Sequence, residues 1–277
     1  MYASGWDDYE LIDAGGDQKL ERWGEIITIR PERQAYFKSH LSKSEWKERA
    51  HAEFIPKGKQ KGSWKMYKEI PEKWKINYQN ITANLMFTGF KHVGIFPEQI
   101  SNWQVLQSEL NKSKSFLNLF AYTGMASVVA KSAGAKVTHV DSVKQLISWA
   151  KDNMQDSNLS DIRWICDDAL KFANKEVKRG NTYDCIVMDP PAFGLGAKGE
   201  RWKIEEKLSG LIKLAHLLLN KNGLLILNTY SPRVELKDIY NETRRLFDKE
   251  KIEATELWQK TAFGNEMFYG HLIRARK

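Results

Sequence analysis

The sequence holds few of the residues that cross-link small secreted or metal-bound folds. Only two of its 277 residues are cysteines, Cys166 and Cys185, and neither lies in a Cys-x-x-Cys or Cys/His pattern. We therefore expect neither a disulfide framework nor a metal site, and free thiols suit a reducing compartment. A chain of this length buries most of the surface that it exposes when unfolded, so it needs no such cross-links.

Long apolar runs are absent as well. No apolar stretch approaches the roughly 20 residues that a membrane-spanning helix needs, and the first residues carry neither the basic nor the apolar segment of a signal peptide. Both absences predict a cytoplasmic protein. The apolar fraction of 42% and the charged fraction of 28% are ordinary for a globular protein and exclude a disordered or fibrous chain.

Acidic residues are too few to balance the basic ones, and the imbalance is local. The net charge is +8, and residues 33–75 contain 12 Lys and Arg against 5 Asp and Glu. Aromatic residues are interleaved with these lysines, namely Trp46, Trp64, Tyr67 and Trp74. Clustered basic charge attracts phosphates, and aromatic rings can stack on bases, so this stretch indicates nucleic-acid binding. The alternative is a solvated surface anchored by tryptophans.

The sequence pattern changes at about residue 97. Residues 1–97 have short strand-like runs separated by turns, which predicts a small β-rich extension that can bind substrate. Residues 98–277 alternate apolar strands with amphipathic helices, which predicts βαβ units, a mostly parallel sheet and a Rossmann-like α/β core. The expected core strands are 115–120, 136–141, 163–166, 183–189, 223–229, 252–258 and 269–274.

Ligands of such a sheet bind at the carboxyl ends of its strands. The first core strand leads into Asn118-Leu-Phe-Ala-Tyr-Thr-Gly124, which has one glycine instead of the three in Gly-x-Gly-x-x-Gly. A dinucleotide pyrophosphate needs several bare backbone positions, so the turn disfavours NAD and favours a nucleoside cofactor without a pyrophosphate. Asp141 ends the second strand, 21 residues after Phe120, where it can accept hydrogen bonds from ribose hydroxyls or cap the next helix.

The third and fourth strands also end in acidic residues. Asp167 and Asp168 follow the third strand, where either carboxylate can accept a hydrogen bond from an adenine amino group or cap a helix. The fourth strand leads into Asp189-Pro-Pro-Ala-Phe193, whose prolines fix an extended turn and remove two amide donors. The oxygen acceptors that remain, beside the Phe193 ring, suit an exocyclic amino group on a flat base.

Together these motifs resemble the class I S-adenosylmethionine-dependent methyltransferases, and more narrowly the bacterial group that includes the large-subunit ribosomal RNA base methyltransferases. The segments similar to the first, ribose, adenine and catalytic motifs of that group are 118–124, Asp141, 168–169 and 189–193. Residues 94–99, Gly-Ile-Phe-Pro-Glu-Gln, are similar to its pre-core segment, which lies against the cofactor. Residues 194–202 and 228–231 look like one branch of the group.

The resemblance implies a seven-stranded methyltransferase core that uses S-adenosylmethionine to methylate a base in ribosomal or other RNA. The implied cofactor-binding residues are Glu98, Gln99, Asn118, Phe120, Tyr122, Thr123, Gly124, Asp141, Asp167, Asp168 and Asp189. The implied catalytic residues are Asp189, Pro190, Phe193 and Tyr230. Asp189 and the Pro190 carbonyl region would orient an amino nucleophile, Phe193 would stack on or wall the base, and Tyr230 would line the cleft with Ser231.

One departure from the group bears on the atom that is methylated. Relatives that methylate carbon 5 of a pyrimidine use a thiolate that attacks the ring first. Tyr230 stands where those relatives carry cysteine, while Cys166 and Cys185 fall inside predicted strands. An amino nitrogen is therefore favoured over pyrimidine carbon 5 as the methyl acceptor.

Three other functions stay open at this point. The chain can be a methyltransferase for a small molecule or a protein. It can also be a non-catalytic module that binds the cofactor and RNA, although the intact motif at 189–193 argues against that. A dehydrogenase is the third alternative, which the single glycine of the first turn disfavours.

Overall fold

The structure is a computed structural model that describes residues 1–58, 61–195 and 201–277. Two compact units are present. One unit contains residues 2–101 and 258–268, and the other contains Met1, 102–257 and 269–277. The division into a substrate-binding extension, 1–97, and a catalytic domain, 98–277, remains a prediction.

The unit of residues 2–101 and 258–268 is rich in strands. Those strands are β1 (Tyr9–Gly15), β2 (Gln18–Trp23), β3 (Ile26–Pro31), β4 (Ala52–Pro56), β5 (Gly62–Met66), β6 (Lys73–Tyr78) and β7 (Ile81–Met86). The first five form one sheet in the order β1-β2-β3-β4-β5, and β6 and β7 form a hairpin. The sheet is antiparallel except where β3 meets β4, which are parallel. The predicted β-rich extension is confirmed.

A short helix that the sequence analysis does not predict, α1 (Lys43–Arg49), lies between β3 and β4. Ser42 and Glu45 form a capping box at its start, each side chain accepting the backbone N–H of the other. The helix buries Trp46 completely. This tryptophan is therefore a core residue and not an exposed ring for stacking on bases.

The buried carboxylate of Asp13 connects α1 to β1. It accepts the indole N–H of Trp46 at 3.0 Å. It also accepts three backbone N–H groups, those of Ala14, His40 and Leu41. Four donors to one buried carboxylate compensate for its lost hydration and fix the loop before α1.

The other unit is built on the predicted parallel core. Its strands are β8 (Ser115–Leu119), β9 (Lys136–Asp141), β10 (Ile162–Cys166), β11 (Tyr183–Met188), β12 (Phe193–Leu195), β13 (Arg201–Lys203), β14 (Leu219–Thr229), β15 (Ile252–Lys260) and β16 (Glu266–Arg276). Seven of them form one sheet in the order β10-β9-β8-β11-β14-β16-β15, and β12 pairs with β13. The strands from β10 to β14 are parallel and β16 is antiparallel to β14. The Rossmann-like seven-stranded fold is confirmed.

Helices cross between these strands and cover the sheet. They are α2 (Ile100–Glu109), α3 (Met125–Ser132), α4 (Lys144–Asp156), α5 (Ala169–Arg179), α6 (Ile204–Leu218) and α7 (Leu236–Thr243). Side chains of α5 and α6, such as Phe172 and Leu211, pack with strand residues such as Ile186 and Leu225 in one buried cluster. In the described part of the chain, no helix is long and apolar enough to cross a membrane.

Candidate cofactor and active site

The turn after β8 has an uncommon backbone. Phe120, Tyr122 and Gly124 have φ angles of 58°, 53° and 81°. Residues other than glycine rarely adopt such left-handed φ angles, so surrounding contacts must hold this turn in place. A Cβ atom at Gly124 would lie 2.7 Å from the Cβ of Ala150, so the close approach of this turn to α4 requires glycine. Strained turns of this kind are concentrated at functional sites.

Asp141, at the end of β9, supports the same turn. One carboxylate oxygen accepts the N–H of Tyr122 at 2.8 Å and the other accepts the N–H of Val143 at 2.9 Å. Burial raises the pKa of Asp141, and these backbone N–H groups oppose the rise. Val143 and not Asp141 is the cap residue of α4. The N–H of Ser142 also bonds to this carboxylate. Of its roughly four acceptor positions, about one is left for a ribose hydroxyl.

Asn118 belongs to the motif by sequence, but its side chain is engaged inside the core. Its amide donates to Ser127 Oγ at 3.0 Å, and Ser127 Oγ lies 3.1 Å from Nδ1 of His139. All three side chains are buried. Burial lowers the pKa of His139 to about 3, so the imidazole is neutral at neutral pH. Asn118 therefore connects β8 to α3 and β9 behind the turn.

Thr123 is buried, and its carbonyl accepts the side-chain amide of Asn153 on α4 at 2.8 Å. Of the two aspartates after β10, one is the helix cap. Asp168 caps α5 by accepting the N–H of Lys171 at 2.9 Å. Asp167 accepts the ammonium group of Lys175 at 2.7 Å, and this hydrogen bond lowers the pKa of Asp167. Both residues lie at the carboxyl edge of the sheet.

Asp189 follows β11 and is half-buried. The side-chain amide of Asn228, on the adjacent strand β14, donates a long hydrogen bond to Asp189 Oδ1 at 3.4 Å. Burial raises the pKa of Asp189 to about 6, and the hydrogen bond from Asn228 opposes the rise. Oδ1 of Asn228 and Oγ1 of Thr229 are buried without a hydrogen-bond partner. Unsatisfied buried oxygen atoms are rare, and Oδ1 of Asn228 belongs to the side chain that bonds to the Asp189 carboxylate.

Two aromatic residues are exposed, one shortly after Asp189 in the sequence and one at the end of the neighbouring strand β14. Phe193, in β12, is 52% exposed, and Tyr230, directly after β14, is 39% exposed. Pro190 is buried. The rings of Phe193 and Tyr230 are therefore accessible to solvent.

Trp202, in β13, is a residue of this site that the sequence analysis did not single out. Its indole N–H donates to the Pro191 carbonyl at 2.5 Å, and its ring centroid lies 5.0 Å from that of Phe120. One lone pair of the Pro191 carbonyl is thus used within the protein. The pairing of Gly194 with Trp202 places the ring here, and this pairing is not readable from sequence. Within the motif 194–202, residues 196–200 lie outside the described residues.

Glu98 and Gln99 lie in the unit of residues 2–101, in a 3₁₀ turn formed by Pro97–Gln99. Glu98 is buried. Its negative charge is one of the causes that raise the pKa of Tyr9, after burial and the charge of Glu21. The proposed contact of Glu98 and Gln99 with the cofactor rests on the resemblance alone.

The two cysteines differ in accessibility. Cys185 is 1% exposed inside β11, and burial raises the pKa of its thiol far above the ordinary value. Cys166 is exposed at the end of β10. A buried thiol with a raised pKa is a poor nucleophile.

Strand order, the strained turn and the acidic strand ends are typical of class I S-adenosylmethionine-dependent methyltransferases. Similarity over the whole chain to a SAM-dependent methyltransferase assigns the protein to that class, with S-adenosylmethionine as its cofactor. The residues present fit that cofactor, since the strained turn of residues 120–124 lies at the carboxyl end of β8 and the Asp141 carboxylate beside it retains an acceptor position for the ribose. Residues 99–258 match the family described as Conserved hypothetical protein 95, and the chain belongs to this family.

Known proteins agree with this assignment. The chain is similar to the SAM-dependent methyltransferase from Agrobacterium tumefaciens, with 35% identity, a TM-score of 0.93, and coverage of 100% of this chain and 92% of that one. SMU.776 complexed with SAH shares the fold, with a TM-score of 0.79, 19% identity, and coverage of 99% of this chain and 76% of that one.

Curated relatives match over a shorter span. The ribosomal RNA large subunit methyltransferase K/L of Syntrophotalea carbinolica is 34% identical over 61% of this chain and 24% of its own length. The protein of the same name from Pseudoalteromonas translucida is 28% identical over 78% of this chain and 29% of its own length. The chain therefore spans about a quarter of the length of these relatives.

Proposed function

We propose that this protein transfers the methyl group of S-adenosylmethionine to an amino nitrogen of a base in RNA, with ribosomal RNA favoured. The observation that carries this proposal is the half-buried Asp189 carboxylate, held by Asn228 and followed by the exposed ring of Phe193. When bound, S-adenosylmethionine supplies a methyl group already activated by a sulfonium charge. The protein then needs mainly to align the nucleophile and accept a proton.

Each of the proposed roles belongs to a side chain at a strand end. The Asp189 carboxylate and the Pro190 carbonyl region orient the amino group, and Asp189 holds the proton that leaves it. Phe193 stacks on or walls the base, and Tyr230 with Ser231 lines the cleft. A cysteine nucleophile is not needed, which agrees with the burial of Cys185.

The cofactor is proposed to bind along the ends of β8, β9 and β10. The backbone of 120–124 cradles it, Asp141 accepts hydrogen bonds from the ribose, and Asp167 or Asp168 accepts one from the adenine amino group. Thr123 and Asn118 hold the turn in place from behind. Glu98 and Gln99 are proposed to contact its methionine end or ribose.

The choice of RNA is supported by the relatives named ribosomal RNA large subunit methyltransferase K/L and by the basic residues of 33–75. Lys57 and Lys61 are exposed, and Lys59 lies outside the described residues. We propose that residues 1–97 contribute to substrate binding and that 98–277 form the catalytic domain. Since ribosomal RNA is the proposed substrate, we also propose the cytoplasm as the place of action.

Radiolabelled S-adenosylmethionine, incubated with the protein and with ribosomal and transfer RNA from cells lacking it, tests the proposal. We expect label in ribosomal RNA. Asp141→Ala should weaken binding of the demethylated cofactor by about 1–3 kcal/mol in calorimetry, because buried hydrogen bonds to the ribose are removed. If neither RNA accepts label while the protein binds the cofactor, RNA is the wrong substrate and a small molecule becomes the leading alternative.

A further inference from the structure

The turn that carries Asp189 has few donors of its own. Pro190 and Pro191 have no N–H, so this stretch of backbone presents carbonyl oxygens only. Donors that hold it must come from other elements. Asn228 donates to the carboxylate of Asp189, and Trp202 donates to the carbonyl of Pro191.

Trp202 also reaches the turn on the neighbouring strand. β8 and β11 are adjacent and parallel, and Leu119 pairs with Met188, so the turns that follow the two strands begin side by side. The Trp202 ring packs against Phe120 with a centroid separation of 5.0 Å and an interplanar angle of 57°. Phe120 has a φ of 58°, which a non-glycine residue keeps only with support from its surroundings.

The position of Trp202 is itself fixed by backbone hydrogen bonds of β12 and β13. Gly194 pairs with Trp202 in the β12–β13 ladder, and the N–H of Ile204 donates to the Ala192 carbonyl at 3.2 Å. A Cβ atom on Gly194 would lie 3.7 Å from the Cβ of Trp202, in ordinary contact distance. The indole is therefore supported by backbone pairing on the segment that directly follows the Asp189 turn.

We propose that Trp202 is a positioning residue that couples the cofactor turn to the catalytic turn. Its N–H fixes the Pro191 carbonyl and with it the direction of Asp189, and its ring supports the strained backbone at Phe120. The inference rests on the proposed function for the roles of residues 120–124 and Asp189 and for the identity of the methyl acceptor. The Pro191 carbonyl has a second lone pair, so Trp202 acts by fixing the direction of this oxygen and not by removing it as an acceptor.

Two substitutions separate the two interactions. Trp202→Phe keeps a ring against Phe120 but has no N–H, and Trp202→Leu removes both. Calorimetry measures affinity for SAH, the demethylated cofactor, and so reports changes in the cofactor turn. The rate of single-turnover methyl transfer to ribosomal RNA reports changes in the turn that carries Asp189. Trp149→Phe, a buried tryptophan on α4, reports the general effect of replacing an indole.

For Trp202→Phe we expect SAH affinity within about twofold of the parent and methyl transfer slowed about tenfold at saturating S-adenosylmethionine, since one hydrogen bond is removed. For Trp202→Leu we expect SAH affinity to fall about fivefold as well, since no aromatic ring then packs against Phe120. Trp149→Phe should change neither quantity, even if its melting temperature falls.

Parental transfer rates in Trp202→Phe would overturn the positioning role of the N–H. Parental SAH affinity in Trp202→Leu would overturn the role of the ring. If the parent protein methylates neither RNA, the proposed function has failed, while SAH binding by Trp202→Leu still decides whether Trp202 supports the cofactor turn.

Discussion

At the scale of single residues, the burial of Asp189, our proposed proton acceptor, has a cost in stability. Burial raises its pKa to about 6. A carboxyl whose folded-state pKa lies above its unfolded value of about 3.9 binds more protons when folded, so the free energy of unfolding decreases as pH rises through this window. Above pH 6 the folded protein therefore holds an ionised, half-buried carboxylate at a net cost.

This leads to opposite effects of Asp189→Asn on stability and on activity. We expect methyl transfer to fall by about 10²-fold or more, because the proton acceptor is removed. The melting temperature at pH 7 should rise relative to the parent, and this gain should vanish near pH 4, where the parent carboxyl is also neutral. Calorimetric scans at both pH values test the expectation. A variant that is less stable than the parent at pH 7 would show that the carboxylate stabilises the fold.

The same pKa predicts the pH profile of the parent enzyme. Transfer under limiting substrate should rise as pH increases through about 6 and level off above it. Asn228→Ala should move this limb to higher pH, because the hydrogen bond from Asn228 lowers the pKa of Asp189.

Sequence patterns located these site residues better than they assigned their hydrogen bonds. Asp141, Asp168 and Asp189 were placed correctly at strand ends, because buried parallel strands are apolar runs whose ends are easy to find. The side chain of Asn118 is different, since its engagement with Ser127 depends on how α3 packs on β8. The contact of Trp202 with the Asp189 turn was not predicted for a similar reason, because it depends on the register of β12 with β13.

At the scale of elements, the turn between β8 and α3 depends on glycine. Gly124→Ala adds a Cβ atom 2.7 Å from the Cβ of Ala150 at a φ of 81°. We expect a loss of about 1–3 kcal/mol in the free energy of unfolding and a clear loss of SAH affinity, because the backbone must shift. Denaturant titration and calorimetry measure the two effects.

A second substitution on α4 serves as the control. Ala150→Gly removes the methyl group that the new Cβ meets, so the double variant should recover part of the SAH affinity, although glycine within α4 costs about 1 kcal/mol. If the double variant bound SAH no better than Gly124→Ala, the left-handed backbone and not the contact with α4 would be the cause.

The elements that sequence patterns did not predict are short. The strands of the parallel core were all expected, with ends displaced by a few residues. The helix α1 contains only Lys43–Arg49 and is held by Asp13 and by its own capping box. Neither contact produces the repeated spacing of apolar residues by which a helix is recognised in a sequence. The strands β12 and β13 have three residues each and exist through mutual pairing.

At the scale of the whole molecule, the positive charge of residues 33–75 sets the expected response to salt. Trp64 and Trp74 both contact the Phe87 ring, at centroid separations of 4.5 and 4.8 Å, so they belong to an aromatic cluster. The lysines are thus the better candidates for binding RNA. Changing Lys57, Lys59 and Lys61 to Ala should lower RNA affinity and reduce its dependence on log salt by about 2–3, one unit for each phosphate that no longer meets a lysine.

A matched variant separates local binding from net charge. Lys178, Lys221 and Lys249 are exposed lysines of the other unit, and their joint change to Ala removes the same charge. Fluorescence anisotropy with a labelled ribosomal RNA fragment, over a series of salt concentrations, compares the two. Equal loss of affinity in both variants, or none in the first, would mean that residues 57–61 are only a solvated surface.

The tip of the β15–β16 hairpin limits how the protein can be cut into fragments for expression. Residues 258–268 belong to the same unit as residues 2–101, where the N–H of Ala262 donates to the Leu11 carbonyl at 3.0 Å and the Phe263 ring stacks on His40 at 4.0 Å. The coding sequence of that unit is therefore discontinuous. A fragment that stops near residue 100 leaves β1 without these partners, and transplanting the unit onto another catalytic core requires three junctions, two of them inside the β15–β16 hairpin.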